Sequence, residues 1–140
     1  MTKLIFYKAN CGNLFDKAVS LIDGGPYSHV ELVTAENENY WTTFASSNRE
    51  GKVRMRLMPK SDHWDVIDVG PIRTKDLERY LGDNYDWIGL GRTIWDWFPA
   101  QDDAWVCSAI LAEVFGLENP KTYGVEDLRI WAISKSINKI

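Results

Sequence analysis

Four β-prone runs separated by short polar turns constrain this chain more than any other feature. Residues 27–34 (YSHVELVT), 40–47 (YWTTFASS), 52–58 (KVRMRLM) and 64–69 (WDVIDV) are each one strand long, rich in β-branched and aromatic residues, and bounded by turn chemistry. The few residues between the first two runs leave room for a hairpin and not for a crossover, which predicts antiparallel pairing. An earlier run, 3–8 (KLIFYK), adds a further strand. In 52–58, Val53, Met55 and Leu57 alternate with basic residues, the pattern of a half-exposed strand.

Helical spacing appears around and after these strands. Leu14, Phe15, Ala18, Val19 and Ile22 follow the Asn10–Asn13 turn and are stopped by Gly24, Gly25 and Pro26. Thr74 is placed to cap a helix carrying Leu77, Tyr80 and Leu81. Residues 85–98 are rich in aromatics and interrupted by Gly89 and Gly91. A helix is predicted over 104–115, ended by Gly116, with Asp102 and Asp103 at its positive end, and a last short one over 125–133. With 140 residues, 45% of them apolar, and neither repeat nor linker, the prediction is one α+β domain over 1–140, a mainly antiparallel sheet flanked by helices.

Charge and composition narrow the function. Sixteen Lys and Arg against twenty Asp and Glu give a net charge of −4, without the basic footprint of a nucleic-acid or anionic-lipid binder. Lys52, Arg54 and Arg56 form a local basic stretch. No apolar run approaches the roughly 20 residues of a membrane span, and the first residues lack a secretory apolar core, so synthesis as a cytosolic chain is expected. Two cysteines and two histidines are too few for a disulfide framework or a structural zinc site, and no cofactor is expected. Seven tryptophans exceed what a core of this size needs, compatible with buried packing or with a sugar-stacking surface.

Cys107 falls in the first turns of a predicted helix, where free N–H groups and the dipole favour a thiolate. It also fits a plain apolar face with Ile110, Leu111 and Val114. His29 is a candidate base for it, and strand alternation places Glu31 beside His29 as an orienting carboxylate or an ordinary surface charge. If the hairpin turn centres near Asn37, Thr43 lies roughly opposite Glu31, and a slip of one residue brings Ser46 towards His29. Cys11 is a competing thiol, His63 reads as a surface residue, and Tyr27, Tyr85 and Trp87 either line a site or pack.

The succession of SHVEL, FASSNREGKVRMRL, YDWIGL and WVCSAILAEVFGL followed by YGVEDL resembles the circularly permuted NlpC/P60 branch of papain-like cysteine hydrolases, with its YiiX-like, YebB-like and lecithin:retinol acyltransferase-like members. The resemblance covers most of the chain. It implies a permuted papain-like fold, a Cys107 nucleophile, a His29 base, and Glu31 or a polar residue of the next strand as the orienting group. Tyr27, Tyr85, Trp87, Trp105 and Ser108 would line the substrate site. The substrate class implied is an amide bond of peptidoglycan peptides, cleaved by a peptidase or amidase, with lipid acyl transfer or thioester hydrolysis as a relative's alternative. Many relatives carry an acidic residue two positions after the cysteine, where this chain has Ala109; a non-catalytic binding module on the same fold therefore stays open. The style of the chain also resembles phage and prophage proteins, which implies association with a virion or delivery to the bacterial envelope.

Overall fold

Alternation in the β-prone runs is realised as a single sheet. The computed structural model describes residues 2–12, 25–47, 51–70, 72–85, 104–105 and 107–138. Five long strands, β1 (Thr2–Lys8), β2 (Tyr27–Glu36), β3 (Tyr40–Ser47), β4 (Lys52–Pro59) and β5 (Trp64–Gly70), pair antiparallel in the order β5-β1-β2-β3-β4. Beyond β4 the sheet continues as two short bridges, β6 (Asn84–Tyr85) and β7 (Ala104–Trp105), which pair parallel to each other. The β2–β3 turn is held by Asn37, whose Oδ1 accepts from the N–H of Asn39 at 2.9 Å and of Tyr40 at 2.8 Å.

Among the described residues two helices accompany the sheet, α1 (Cys107–Val114) and α2 (Val125–Asn138). The first lies against β2 and β3 and the second against β5 and β2. Leu4, Phe6, Val30, Leu32, Phe44 and Val53 from the sheet form one core with Ile110, Leu111, Val114, Leu128 and Ala132 from the helices. Strand alternation sends Ile5, Val33, Trp41 and Met58 into a second cluster, with Trp64 packed against it. Apart from Glu113, every residue of α1 is buried, so this helix is enclosed on nearly all sides.

Several expectations need correction. Helix α1 starts at Cys107 and not near residue 104, because Ala104 and Trp105 are drawn into the sheet by Asn84 and Tyr85. The predicted helix at Thr74 is only a 3-10 turn, Leu77–Tyr80, capped by Asp76 through the Glu78 N–H at 3.1 Å. Its growth is stopped because Gly82 N–H and Asp83 C=O bond to Val53 of β4, at 3.0 and 2.7 Å, which requires extended chain there. Helix α2 runs five residues beyond the predicted end at 133. On β4 the alternation is present, yet Met55 and Leu57 are 41% and 64% exposed while Arg54 is buried. Only Val53 of the three apolar residues reaches the helix-side core. The predicted helix over 14–22, the segment 86–98 and Asp102 and Asp103 lie outside the described residues.

Helix α1 ends in a Schellman motif. Leu117 N–H donates to the Ala112 carbonyl and Gly116 N–H to that of Glu113, both at 3.0 Å, with Gly116 at φ 73°. A Cβ at Gly116 would meet nothing within 4 Å, so its penalty is purely conformational. Gly116→Ala is expected to destabilise the domain by about 1 kcal/mol, read as a lower urea midpoint at unchanged m-value.

Candidate active site

The site grows from one buried carboxylate. Glu31 sits mid-strand on β2, 1% exposed, among the neighbours Ile5 on β1 and, diagonally, Thr43 on β3. Burying an ionised carboxylate is costly unless its lone pairs are filled by donors, and here they are. Arg54 of β4 grips both oxygens, Nη1 to Oε1 at 3.0 Å and Nη2 to Oε2 at 2.8 Å. Thr43 Oγ1 donates to Oε1 at 2.5 Å, and His29 Nε2 lies 2.8 Å from Oε2. Strand pairing explains the convergence: Ala45, small and fully buried, is the partner of Arg54 on β4, so the guanidinium reaches past it to β2.

His29 links this carboxylate to α1. The Cys107 side chain lies near enough to this ring to act on it through charge and hydrogen-bonding capacity, alongside Glu31. With Nε2 taken by Glu31, Nδ1 is the ring nitrogen left for the sulfur. Trp64 of β5 flanks the imidazole edge-on, ring centroids 6.1 Å apart. Burial by itself disfavours the imidazolium, but the charge and hydrogen bond of Cys107 and then those of Glu31 outweigh it and raise His29 above its ordinary range. For Glu31, burial pushes up, and the His29 and Arg54 hydrogen bonds and charges hold it far below the ordinary carboxylate range.

Cys107 is the first residue of α1, 6% exposed, so its sulfur stands where the helix presents first-turn N–H groups that have no partner inside the helix. This arrangement gives a thiol, a base in contact with it, an acceptor that fixes the base, and N–H donors next to the sulfur. Such a set is competent for attack on an acyl carbon. Among the described residues no group of three or more His, Cys, Asp and Glu side chains is arranged to hold a metal ion.

The other candidates separate clearly. Thr43 pairs with Val33 and not with Glu31, because the hairpin closes at Glu36 and Trp41, beyond a turn centred at Asn37, yet its hydroxyl still reaches the carboxylate. Ser46 is paired with Val53, away from the His29–Glu31 contact. Ser108, also buried, gives its hydroxyl to the Tyr123 carbonyl at 2.7 Å and so ties α1 to the turn before α2. Tyr27 donates to Asp65, and its ring rests on Phe6 and under Arg129; burial and that hydrogen bond push its phenol up to about 12. Tyr85 and Trp105 form the β6–β7 bridge by backbone, and Trp87 lies outside the described residues. Cys11 is exposed on a 3-10 turn, and His63 is more than half exposed.

Arg54 was missed by sequence reasoning. As one of three cations alternating along a strand it reads as solvated, and its burial removes the middle member of the Lys52–Arg54–Arg56 stretch from the surface. The signal that points to it is the inward carboxylate of Glu31, which demands a cation from a neighbouring strand. Comparison with protein-family models, with curated proteins and with solved structures gives no match to this chain.

Because folded Glu31 titrates below its unfolded value of 4.5, it contributes stability that is complete above that pH and is lost as the medium is acidified below it. Urea unfolding of wild type and Glu31→Gln across this range checks the sign. Wild type should lose stability more steeply on acidification, and the difference between the two should shrink as pH falls.

Proposed function

We propose that the protein is a cysteine hydrolase of permuted papain-like type, acting through a Cys107 thioester. What carries the reading is the contact between the first residue of a buried helix, Cys107, and a histidine whose second nitrogen is bound by a buried, ionised Glu31. A histidine that merely filled a core would not need both a thiol and an anchored carboxylate.

His29 takes the thiol proton on Nδ1, and the Cys107 sulfur attacks the carbonyl carbon of the substrate. Negative charge that develops on the carbonyl oxygen is met by the N–H groups of the first turn of α1. Collapse of that intermediate breaks the C–N bond, the imidazolium gives its proton to the departing amine, and the acyl group is left on sulfur. Water, deprotonated by His29, then releases the acid. Glu31 holds the ring by Nε2 and stabilises its cation throughout, in the manner of a third triad member.

The substrate class proposed is an amide bond in peptidoglycan peptides, from the resemblance in the order of the SHVEL, YDWIGL and WVCS segments. No helix among the described residues is long and apolar enough to cross a membrane, so nothing in them favours a lipid anchor over a polar substrate. A second reading, a binding module that has lost turnover, is favoured by Ala109, buried where many relatives carry an acid.

Two cysteines in one chain provide an internal control. At about pH 6.5, near the ordinary histidine value, iodoacetamide should modify buried Cys107 faster than exposed Cys11, with His29→Ala abolishing the advantage, as read by peptide mass mapping. Wall-peptide hydrolysis should then disappear in Cys107→Ala. If Cys11 reacts first and His29→Ala changes nothing, the nucleophile assignment fails. Tight binding of wall fragments that survives Cys107→Ala would establish the binding module instead, and turnover confined to acyl esters would move the substrate to lipid-like acyl groups.

A further inference from the structure

We infer that Arg54 is a positioning residue of this site: by clamping both oxygens of Glu31 it fixes that carboxylate as a pure acceptor and so decides whether Nδ1 of His29 offers Cys107 a lone pair or a hydrogen. The inference rests on the reading of Cys107 and His29 as nucleophile and base.

An ionised carboxylate only accepts, whereas a protonated one also donates. Oε2 of Glu31 is shared between Arg54 Nη2 and His29 Nε2, both at 2.8 Å. While Glu31 is ionised, Nε2 must carry the hydrogen, and in the neutral ring Nδ1 is then the free base that takes the Cys107 proton. Were Glu31 protonated, its O–H would donate to Nε2, the ring hydrogen would move to Nδ1, and the sulfur would face a donor instead of a base. Which of the two arrangements exists depends on what keeps a carboxylate that is 1% exposed in its charged form.

Arg54 is the group built for that task. It is itself 8% exposed, spans from β4 to β2, and meets the carboxylate in the two-pronged geometry that a lysine cannot reproduce. Thr43 supplies a hydroxyl donor but no charge. Among the described residues, the groups acting on the imidazole are Cys107 from α1 and Glu31 from its own strand. Across β1, Tyr7 spends its hydroxyl on the Cys11 carbonyl, and on β5 Asp65 is engaged by Tyr27 and Lys8. Arg54 thus governs the site through Glu31 and without touching the reacting atoms.

The test is the pH dependence of Cys107 alkylation by iodoacetamide in wild type, His29→Ala, Arg54→Met and the double variant Glu31→Gln with Arg54→Met. Arg54→Met should slow Cys107 at about pH 6.5 by roughly a hundredfold or more, the scale of a lost general base, and the rate should return in alkali as Glu31 ionises. In the double variant a neutral Gln amide oxygen accepts from Nε2–H without needing a cation. It should therefore regain most of the wild-type rate, with no alkaline displacement of the profile. Arg54 as mere structural support is the conclusion if Arg54→Met keeps the wild-type profile, or if the double variant folds but stays as slow as Arg54→Met. Should Arg54→Met fail to fold, the double variant decides alone, since a slow, well-folded double variant overturns the inference. If His29→Ala leaves wild-type alkylation unchanged, the nucleophile–base pair itself is refuted and the role of Arg54 falls with it; a His29-dependent wild type with indifferent Arg54 variants refutes Arg54 only.

Discussion

A buried ion pair between Glu31 and Arg54 is the constraint around which the rest of this molecule is arranged. Each partner alone in the sheet would be an uncompensated charge in a poorly polarisable interior, and removing one from such a pair typically costs roughly 3–5 kcal/mol. Together, with Thr43 and His29 completing the carboxylate's partners, the charges are neutralised and the lone pairs filled. The geometry that allows this is strand register. Arg54 and Glu31 belong to strands separated by β3, and only the small Ala45 between them lets a long side chain pass. A slip of one residue in β4 would turn Arg54 to the other face and strand the carboxylate, so the pair stabilises one register against its alternatives as much as it stabilises the fold.

The helix side depends on a different balance. Helix α1 is short and almost wholly buried, and packing carries it, since eight residues have little helical stability of their own. Its ends are therefore tied: Gly116 closes the C-terminal end, Ser108 holds the first turn to Tyr123, and Lys75 and Tyr80 meet Glu113, its one half-buried residue. These ties place Cys107 where the ring of His29 reaches its sulfur.

Most of the sheet was legible in the sequence because period-two alternation and turn residues are local signals. The four runs from Tyr27 onward and the strand near the N-terminus all form, with ends within two residues of those predicted. Alternation also puts His29 and Glu31 on one side of β2, where they meet, whereas His29 as partner of Cys107 was one candidate among others in the residues and was singled out only by the resemblance in segment order. What failed was non-local. Residues 104 and 105 satisfy a helical pattern but are claimed by β6, and the Thr74 segment gives up its helix to backbone bonds with Val53. Arg54 was misread because a strand's polar residues are solvated by default, and nothing within β4 reveals a carboxylate waiting two strands away. Exposure of Leu57 and Met55 on the same strand is the converse error: the alternation is right, but the helices do not extend over that end of the sheet.

The charge pattern bears on the proposed chemistry directly. Arg54, Glu31, His29 and Cys107 form a line in which positive and negative groups alternate once the thiol proton has moved to the imidazole. Before that transfer the line carries one neutral pair beside one ion pair, and after it two ion pairs, with no change in net charge. In a water-poor site such a transfer is helped by a fixed negative group behind the imidazole, but a bare carboxylate there would overshoot: it would be driven to take up a proton itself and cease to be an acceptor. Arg54 offsets that instability while sharing Oε2 with Nε2. A carboxylate tempered in this way behaves more like an amide oxygen than a free anion. In the proposed reaction it would orient the ring and support its cation without competing for the proton that the leaving amine must receive.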